Sequence, residues 1–459
     1  MRTLLVANRG EIARRIFRSA KDLGLRTIAV HSEADSTSAH VSDADEAVLI
    51  GPAPARDSYL NAARILEAAT ATGADAVHPG YGFLSENAEF AEAVEAAGLT
   101  WIGPDAATLR AMGDKQRARE LAEGAGVPVV PGSRRFANGD TAGLSEEARR
   151  VGFPLLVKAS AGGGGIGMRR VDSMETLDQT VAATQSMAAK AFGDGTVFLE
   201  RFVPRARHIE IQVFGFGDGT TVHLFERDCS LQRRFQKVIE ESPAPGLPDE
   251  VRSAMAQAAL SLCRETRYRG AGTIEFIVDT DSFEFFFLEM NTRIQVEHPV
   301  TEMVVDRDLI AMQIDLARGE LTGLDQAEVR SDGHAIECRL YAENPAKMFM
   351  PSPGILEAFD LPAATPELRI ETGYRAGDTV TPYYDPMLAK IITHGQDRES
   401  ARATMIDALE GTRIEGIRTN RDFLIACLES ENFRRGDVYT GFIDENLKAL
   451  TAERVTMAD

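Results

Sequence analysis

The chain has 459 residues, 50 Lys+Arg against 70 Asp+Glu and a formal net charge of −20, an average field that repels nucleic-acid backbones and anionic membranes, so neither is expected as a partner. Its hydrophobic fraction of 44% is that of an ordinary globular protein, with room for about three domains. Cys229, Cys263, Cys338 and Cys427 form no C-x-x-C pair, the opening MRTLLVANRGEIARRIF lacks a signal-peptide core, and no apolar run nears the roughly 18 residues of a membrane helix; a reducing, cytoplasmic setting without disulfides or a thiolate zinc site is expected.

In chain order, a strand is predicted from Thr3 to Ala7, a helix from Glu11 to Leu23 and a strand from Thr27 to His31. The rhythm continues with a helix near Asn61 to Ala71, a strand from Asp75 to His78, a helix from Glu86 to Ala97 and a strand from Thr100 to Ile102, which together predict an open parallel α/β sheet. Its first turn is Asn8-Arg9-Gly10-Glu11, so the dinucleotide fingerprint is missing where it would stand. A boundary is expected near Gly103-Pro104, followed by a helical segment containing Met112-Gly113-Asp114-Lys115. From Val129 to about Val203, the strand-like Leu155 to Lys158, a glycine run and an extended Met168 to Val171 predict a small α+β lobe. A mixed region to about residue 330 holds strand-like Ile209 to Phe214, Gly272 to Val278 and Phe283 to Leu288. A third unit begins near His334, rich in Pro-Gly turns, and closes with helices around Arg398 to Glu410 and Asn420 to Leu428.

Four consecutive glycines, Gly162 to Gly165, cost chain entropy without packing anything, which points to something approaching the backbone. Bare N–H groups cradle phosphate oxygens, and Lys158 just before them adds an ammonium. Gly162, Gly164 and Gly167 match G-x-G-x-x-G in form, but Met168-Arg169-Arg170-Val171 reads as extended, so a hairpin loop closing over a nucleotide is expected; a merely flexible surface turn is the alternative. Glu275 lies in Thr273-Ile274-Glu275-Phe276-Ile277, and Glu289 and Asn291 lie in Phe287-Leu288-Glu289-Met290-Asn291. The turn chemistry of Asp279-Thr280-Asp281-Ser282 lets these segments pair as antiparallel strands. Two buried carboxylates side by side repel unless a cation lies between them, and oxygen ligands facing a triphosphate suggest Mg²⁺; the alternative is that each acid pairs with a nearby arginine.

The polar run Thr292 to Glu302 follows directly. Arg293 has the planar fork suited to a small oxyanion, and Glu297 is a base four residues on, whereas His298 reads as a structural residue. Arg227, Arg233, Arg234 and Lys237 form a local cationic cluster, either an anion pocket or a solvated face. Cys229 has no paired histidine and reads as a buried, inert thiol.

Met112-Gly113-Asp114-Lys115, Lys158 with the glycine run, Glu226-Arg227-Asp228-Cys229-Ser230, Gln236-Lys237-Val238, Glu289-Met290-Asn291-Thr292-Arg293, Gln295-Val296-Glu297-His298-Pro299 and Glu337-Cys338-Arg339 resemble biotin carboxylase, and the resemblance runs from Val6 to about Asn420. It implies a mixed α/β and α+β ATP-grasp fold. A Rossmann-like pre-ATP-grasp domain would span 1–112, an ATP-grasp domain 113–330 with its lid at about 130–203, and a β-rich C-terminal domain 331–446, leaving a tail at 447–459. The implied activity is that of a ligase: ATP-dependent carboxylation of biotin by bicarbonate, through carboxyphosphate. The implied ATP-binding residues are Lys115, Lys158 on the phosphates, Gly163, Gly164, Gly165, Glu200 near the adenine, Arg201, Val203, His208, Gln232, Glu275 and Glu289. Glu275 and Glu289, helped by Asn291, would hold Mg²⁺ or Mn²⁺, two ions per site. Lys237, Arg293, Gln295 and Val296 would hold bicarbonate, Glu297 would take its proton, and Arg339 would stabilise the biotin enolate.

The same resemblance implies a homodimer, with Arg15 and Arg18 as contact residues, and partners in a biotin carboxyl carrier protein and carboxyltransferase subunits. No Met-Lys-Met biotinylation sequence is present and 459 residues leave no room for a carboxyltransferase, so the carrier is expected on another chain. The expected setting is acetyl-CoA or another acyl-CoA carboxylase, as in fatty acid biosynthesis. Four positions depart from the bacterial pattern: Phe235 where histidine is usual, Ile166 where arginine or lysine is usual, Ala161 for glycine and Arg201 for lysine. The glycine run and Tyr341-Ala342-Glu343-Asn344-Pro345 with Lys347 are similar to urea carboxylases, so a urea-type carboxylase, another bicarbonate-using ATP-grasp ligase and a silent scaffold subunit are the competing expectations.

Overall fold

Apolar runs bounded by polar turns give β1 (Thr3–Val6), β2 (Arg26–Ser32), β3 (Glu46–Gly51), β4 (Ala76–His78) and β5 (Thr100–Trp101), all parallel, in the order β3-β2-β1-β4-β5. Leu4, Leu5 and Val6 are wholly buried, as in a sheet covered on both faces. The helices Ala62–Thr72 and Ala88–Ala96 start at Asn61 and Asn87, whose side chains accept from backbone N–H groups three residues on. The first helix, Gly10–Asp22, opens on Gly10 at φ +63°, and a Cβ on Gly373 would lie 2.8 Å from the Gly10 Cα, so that close approach requires glycine.

The computed structural model describes residues 1–160 and 167–452. These fall into a first unit of residues 1–127, 207–276 and 289 onward, and a second of residues 128–206 and 277–288. In the second unit β6 (Leu155–Ala159) pairs antiparallel with both β7 (Met168–Val171) and β8 (Val197–Arg201), over a core including Leu155, Val157, Leu177, Val181 and Leu199. Met168 to Val171 is extended, as expected; Ala161, the run Gly162 to Gly165 and Ile166 lie outside the described residues.

The bulk of an eight-stranded sheet belongs to the first unit. It uses β9 (Ala206–Phe216), β10 (Thr221–Arg233), β11 (Gln236–Ser242), β12 (Arg269–Asp279), β13 (Phe285–Asn291) and β14 (His334–Tyr341). Beyond β14, three two-stranded pieces pair β15 (Glu343–Asn344) with β16 (Met350–Pro351), β17 (Gly354–Ile355) with β20 (Thr379–Val380), and β18 (Ala358–Asp360) with β22 (Arg413–Glu415). The remaining strands, β19 (Leu368–Thr372) and β21 (Met387–Gly395), complete the large sheet in the order β13-β12-β9-β10-β11-β14-β21-β19. β11 and β14 are antiparallel neighbours, with Ile239 opposite Cys338 and Glu240 opposite Glu337, so this sheet continues past residue 330 without a break. The helix Arg398–Glu410, capped reciprocally by Asp397 and Ser400, covers the face bearing Cys338, Leu340 and Ile391.

Two expectations need correction. Met112 to Lys115 is not one helical segment: the helix Ala106–Gly113 stops, and Asp114 caps the next, Lys115–Gly124, by accepting from the Gln116 and Arg117 N–H groups. Arg15 does not offer a contact surface: it is buried, 2.8 Å from Glu302 and 2.7 Å from Asp308, and a buried guanidinium demands such partners. Arg18 is half-exposed and 2.9 Å from Glu371. Among the described residues no helix is long and apolar enough to cross a membrane, and all four cysteines are free and buried.

Candidate active site

Within the first unit, β9 to β12 and the segment after β13 carry polar side chains inside apolar strands, and burial forces each to find a partner there. Lys237, on β11, is the hub. Its Nζ donates to Glu210 (2.6 Å), Glu275 (2.9 Å) and Glu297 (2.6 Å), all buried. Burial opposes its charge, but the surrounding carboxylates more than offset that and hold the ammonium well above its usual range. Arg227, wholly buried, donates to Glu210 (2.6 Å) and Gln295 Oε1 (2.5 Å). Gln295 Nε2 in turn donates to Glu275 at 2.9 Å.

Glu297 precedes the helix His298–Val305 and is almost fully buried. Lys237 holds one of its oxygens and Arg339 NH2 donates to the other at 3.0 Å. Burial alone would raise the carboxyl, yet Lys237, Arg339 and Arg227 keep it below the usual carboxylate range. The result is an ionised base clamped between two cations, in a geometry suited to accept a proton from a small oxyacid. Arg339 sits between this carboxylate and Glu240, which is 2.5 Å away. Val296 carries no polar side chain, but its carbonyl accepts from Lys390 Nζ at 2.9 Å, tying the segment to β21.

The expected metal residues come together in part. Glu275 accepts from Asn291 Nδ2 (2.8 Å) and lies 2.8 Å from His208 Nε2. Burial raises it, but Lys237 and His208 hold it well below the carboxylate range. Glu289 is less buried, 3.9 Å from Lys115, and is raised by burial and by Glu275, a like charge. That repulsion and the hard oxygen donors fit a divalent cation. The Asn291 amide oxygen is engaged: Arg293 donates to it at 2.9 Å and also to Glu86 at 3.0 Å. Gln232 bonds His208 Nδ1 at 2.8 Å.

In the second unit, Lys158 donates to Glu200 at 2.6 Å, Arg201 lies 3.1 Å from Glu284, and Val203 packs with Val130, Ala206 and Phe286. Gly163, Gly164 and Gly165 lie outside the described residues.

Of the expected cationic cluster, Arg227 and Lys237 enter the site. Arg233 instead donates to Glu343, and Arg234 and Phe235 form the two-residue turn joining β10 and β11, at φ +49° and +66°; Phe235 is 79% exposed. Cys229 is buried, and burial pushes its thiol well above the usual range, as an inert thiol should behave. Sequence reasoning missed Glu210, Glu240, Glu86 and Lys390. The available signal was His208, Glu210 and Gln212 alternating with Ile209, Ile211 and Val213 in one strand.

Comparison with known proteins accords with this geometry. Residues 1–109 match the model of the biotin carboxylase N-terminal domain, 114–324 that of the carbamoyl-phosphate synthase L chain ATP-binding domain, and 337–445 that of the biotin carboxylase C-terminal domain. The chain is 49% identical over 450 residues to the methylcrotonoyl-CoA carboxylase subunit alpha of Arabidopsis thaliana, covering 98% of this chain and 61% of that one. It is 49% identical over 444 residues to the biotin carboxylase of Haemophilus influenzae, covering 97% and 98%. It thus spans about six-tenths of the plant relative and nearly all of the bacterial one. The solved biotin carboxylase domain dimer of Hydrogenobacter thermophilus 2-oxoglutarate carboxylase, in complex with MgADP, ADP and bicarbonate, matches at 43% identity and a TM-score of 0.89, over 99% of both chains. A three-domain ATP-grasp architecture, a buried base held by lysine and arginine, and near-complete alignment with a 49% identical relative lead to one assignment: the chain belongs to the biotin carboxylase family.

Proposed function

We propose that this chain carboxylates the biotin of a separate carrier protein with bicarbonate and ATP, as the first half-reaction of a biotin-dependent acyl-CoA carboxylase. The observation that carries the reading is Glu297, kept ionised between Lys237 and Arg339. Bicarbonate is a poor electrophile, so a phosphoryl group from ATP must activate it as carboxyphosphate. Lys237, Arg293, Gln295 and the Val296 segment would hold the anion while Glu297 takes its proton. As Glu297 becomes neutral, Arg339 loses one of its two counter-charges and gains capacity to stabilise the enolate of biotin. Glu275 and Glu289, with Asn291 once it releases Arg293, would hold Mg²⁺ or Mn²⁺, which when bound supplies charge neutralisation for phosphoryl transfer.

Lys115, His208, Gln232, Glu275 and Glu289 from the first unit and Lys158, Gly163, Gly164, Gly165, Glu200, Arg201 and Val203 from the second are assigned to ATP. Domain limits at 112, 330 and 446, a homodimer, carrier and carboxyltransferase partners and a cytoplasmic setting belong to the same proposal. An acyl-CoA acceptor is favoured over urea because the plant relative is a methylcrotonoyl-CoA carboxylase subunit. The test is ATP cleavage measured with bicarbonate, with and without free biotin. Stimulation by biotin is expected; bicarbonate-dependent cleavage that ignores biotin would instead indicate another ATP-grasp ligase.

A further inference from the structure

Arg339 does not stand alone on its strand. Along β14, Ile336, Cys338 and Leu340 face the hydrophobic core, so Glu337, Arg339 and Tyr341 alternate onto the opposite face. On that face Glu240 of β11 stands directly opposite Glu337, and Lys390 of β21 directly opposite Arg339. Glu240, Glu337 and Lys390 are wholly buried. Glu240 lies 2.5 Å from the Arg339 guanidinium, whereas no such ion pair reaches Glu337, and none of the four carboxylate oxygens of the two acids finds a well-aligned hydrogen-bond partner among the described residues.

Two buried carboxylates opposed across antiparallel strands repel, and with only one guanidinium in contact with the pair the doubly ionised state is disfavoured. We propose that Glu240 and Glu337 share one proton, and that this acid–carboxylate pair is the positioning device that orients Arg339 and limits how far its charge is neutralised. The inference rests on Arg339 acting on biotin as proposed above. The proton belongs mainly to Glu337, which has no cation in contact, and the negative charge to Glu240, which has Arg339. The charged and titratable groups that act on Glu240 are Arg339, Glu337 and Tyr341 on the same face of β14, Cys338 across the strand on its core face, Lys237 from its own strand, Cys229 from β10 and Glu297. Those that act on Glu337 are Lys390 of β21, Glu240, Arg339, Glu297 and its chain neighbour Cys338. In agreement with this arrangement, burial pushes Glu240 up to about 7, against the pull of Arg339, and pushes Glu337 well above the carboxylate range.

The sign follows. Above about 7, Glu240 is charged and holds Arg339; below it, both acids carry protons and that ion pair is lost. The biotin-stimulated rate therefore has an acid limb near neutrality, distinct from that of Glu297, whose carboxyl lies below the usual range. Glu337→Gln keeps a neutral hydrogen-bond donor and is expected to retain turnover within about threefold, while an infrared spectrum at neutral pH loses the carbonyl band of a buried protonated carboxyl. Glu240→Gln is expected to lower biotin-stimulated turnover about tenfold and abolish the neutral acid limb. Retention of the infrared band in Glu337→Gln would overturn the shared proton. Equal losses in both variants on a wild-type pH profile would overturn the positioning role in favour of simple packing. Wild-type protein without any biotin stimulation would sink the biotin carboxylase reading instead, and the band would still decide the proton.

Discussion

Replacing Lys237 with methionine tests the architecture of the site most directly. Its ammonium is the cation shared by Glu210, Glu275 and Glu297, and no described side chain can take its place, because Arg227 is already spent on Glu210 and Gln295. Methionine preserves most of the volume, so the change is chiefly electrostatic. Removing one partner of a buried ion pair costs about 3–5 kcal/mol, and a net loss of that size is expected in the unfolding free energy of the variant. The pH dependence has a definite sign. Glu297 is depressed in the folded chain, so its stabilising contribution is present above the ordinary carboxylate range and is lost as pH falls through the folded value. Without Lys237 only Arg339 and Arg227 oppose the effect of burial, the folded value rises, and both acid unfolding and the acid limb of bicarbonate-dependent ATP cleavage move to higher pH. Chemical denaturation across a pH series, followed by circular dichroism, measures the first, and a coupled ADP assay measures the second. Unchanged stability together with an unmoved acid limb would refute the argument that this lysine holds the carboxylates.

Three other substitutions probe separate parts of the design. Glu297→Gln removes the base while keeping hydrogen-bonding capacity, and should lower biotin-stimulated turnover by about 10²–10⁴-fold with ATP affinity retained in a calorimetric titration. Lys390→Met frees the Val296 carbonyl and removes the cation 3.2 Å from the buried Glu11, while Glu371 keeps Arg18 and Arg369, so it should cost about 3 kcal/mol in a melt and raise the KM for bicarbonate. Asp114→Ala removes the cap that starts the helix Lys115–Gly124 and should cost about 1 kcal/mol, with a rise in the KM for ATP through the loosened Lys115.

Local signals were legible wherever a residue's partner was near in sequence. The helix Arg398–Glu410 has the predicted limits because Asp397 and Ser400 fix its start and an apolar face fixes its length. The acids Glu275 and Glu289 and the run Arg293 to Glu297 stood out because charges in apolar surroundings demand explanation. Their partners were another matter. Glu210, Glu240 and Lys390 lie on three different strands, and what each meets depends on strand order, which periodicity does not reveal. Arg339 entered only through resemblance for the same reason. Arg15, expected at a dimer contact, is instead buried, because its acidic partners Glu302 and Asp308 are supplied by a distant part of the chain.

The unbroken pairing of β11 with β14 bears on how this protein can be cut. A fragment ending at residue 330 would look like a natural excision, since it removes one recognisable segment. It would instead lay bare the β11 edge from Ile239 to Ser242, strip the cover from Val238 and Ile239, and leave Glu240 without its guanidinium. Such an edge is sticky, and its buried acid is uncompensated. Engineering that exchanges C-terminal segments should therefore place its junction after β22, past Glu415, where no ladder is severed, rather than at the limit that sequence alone recommends.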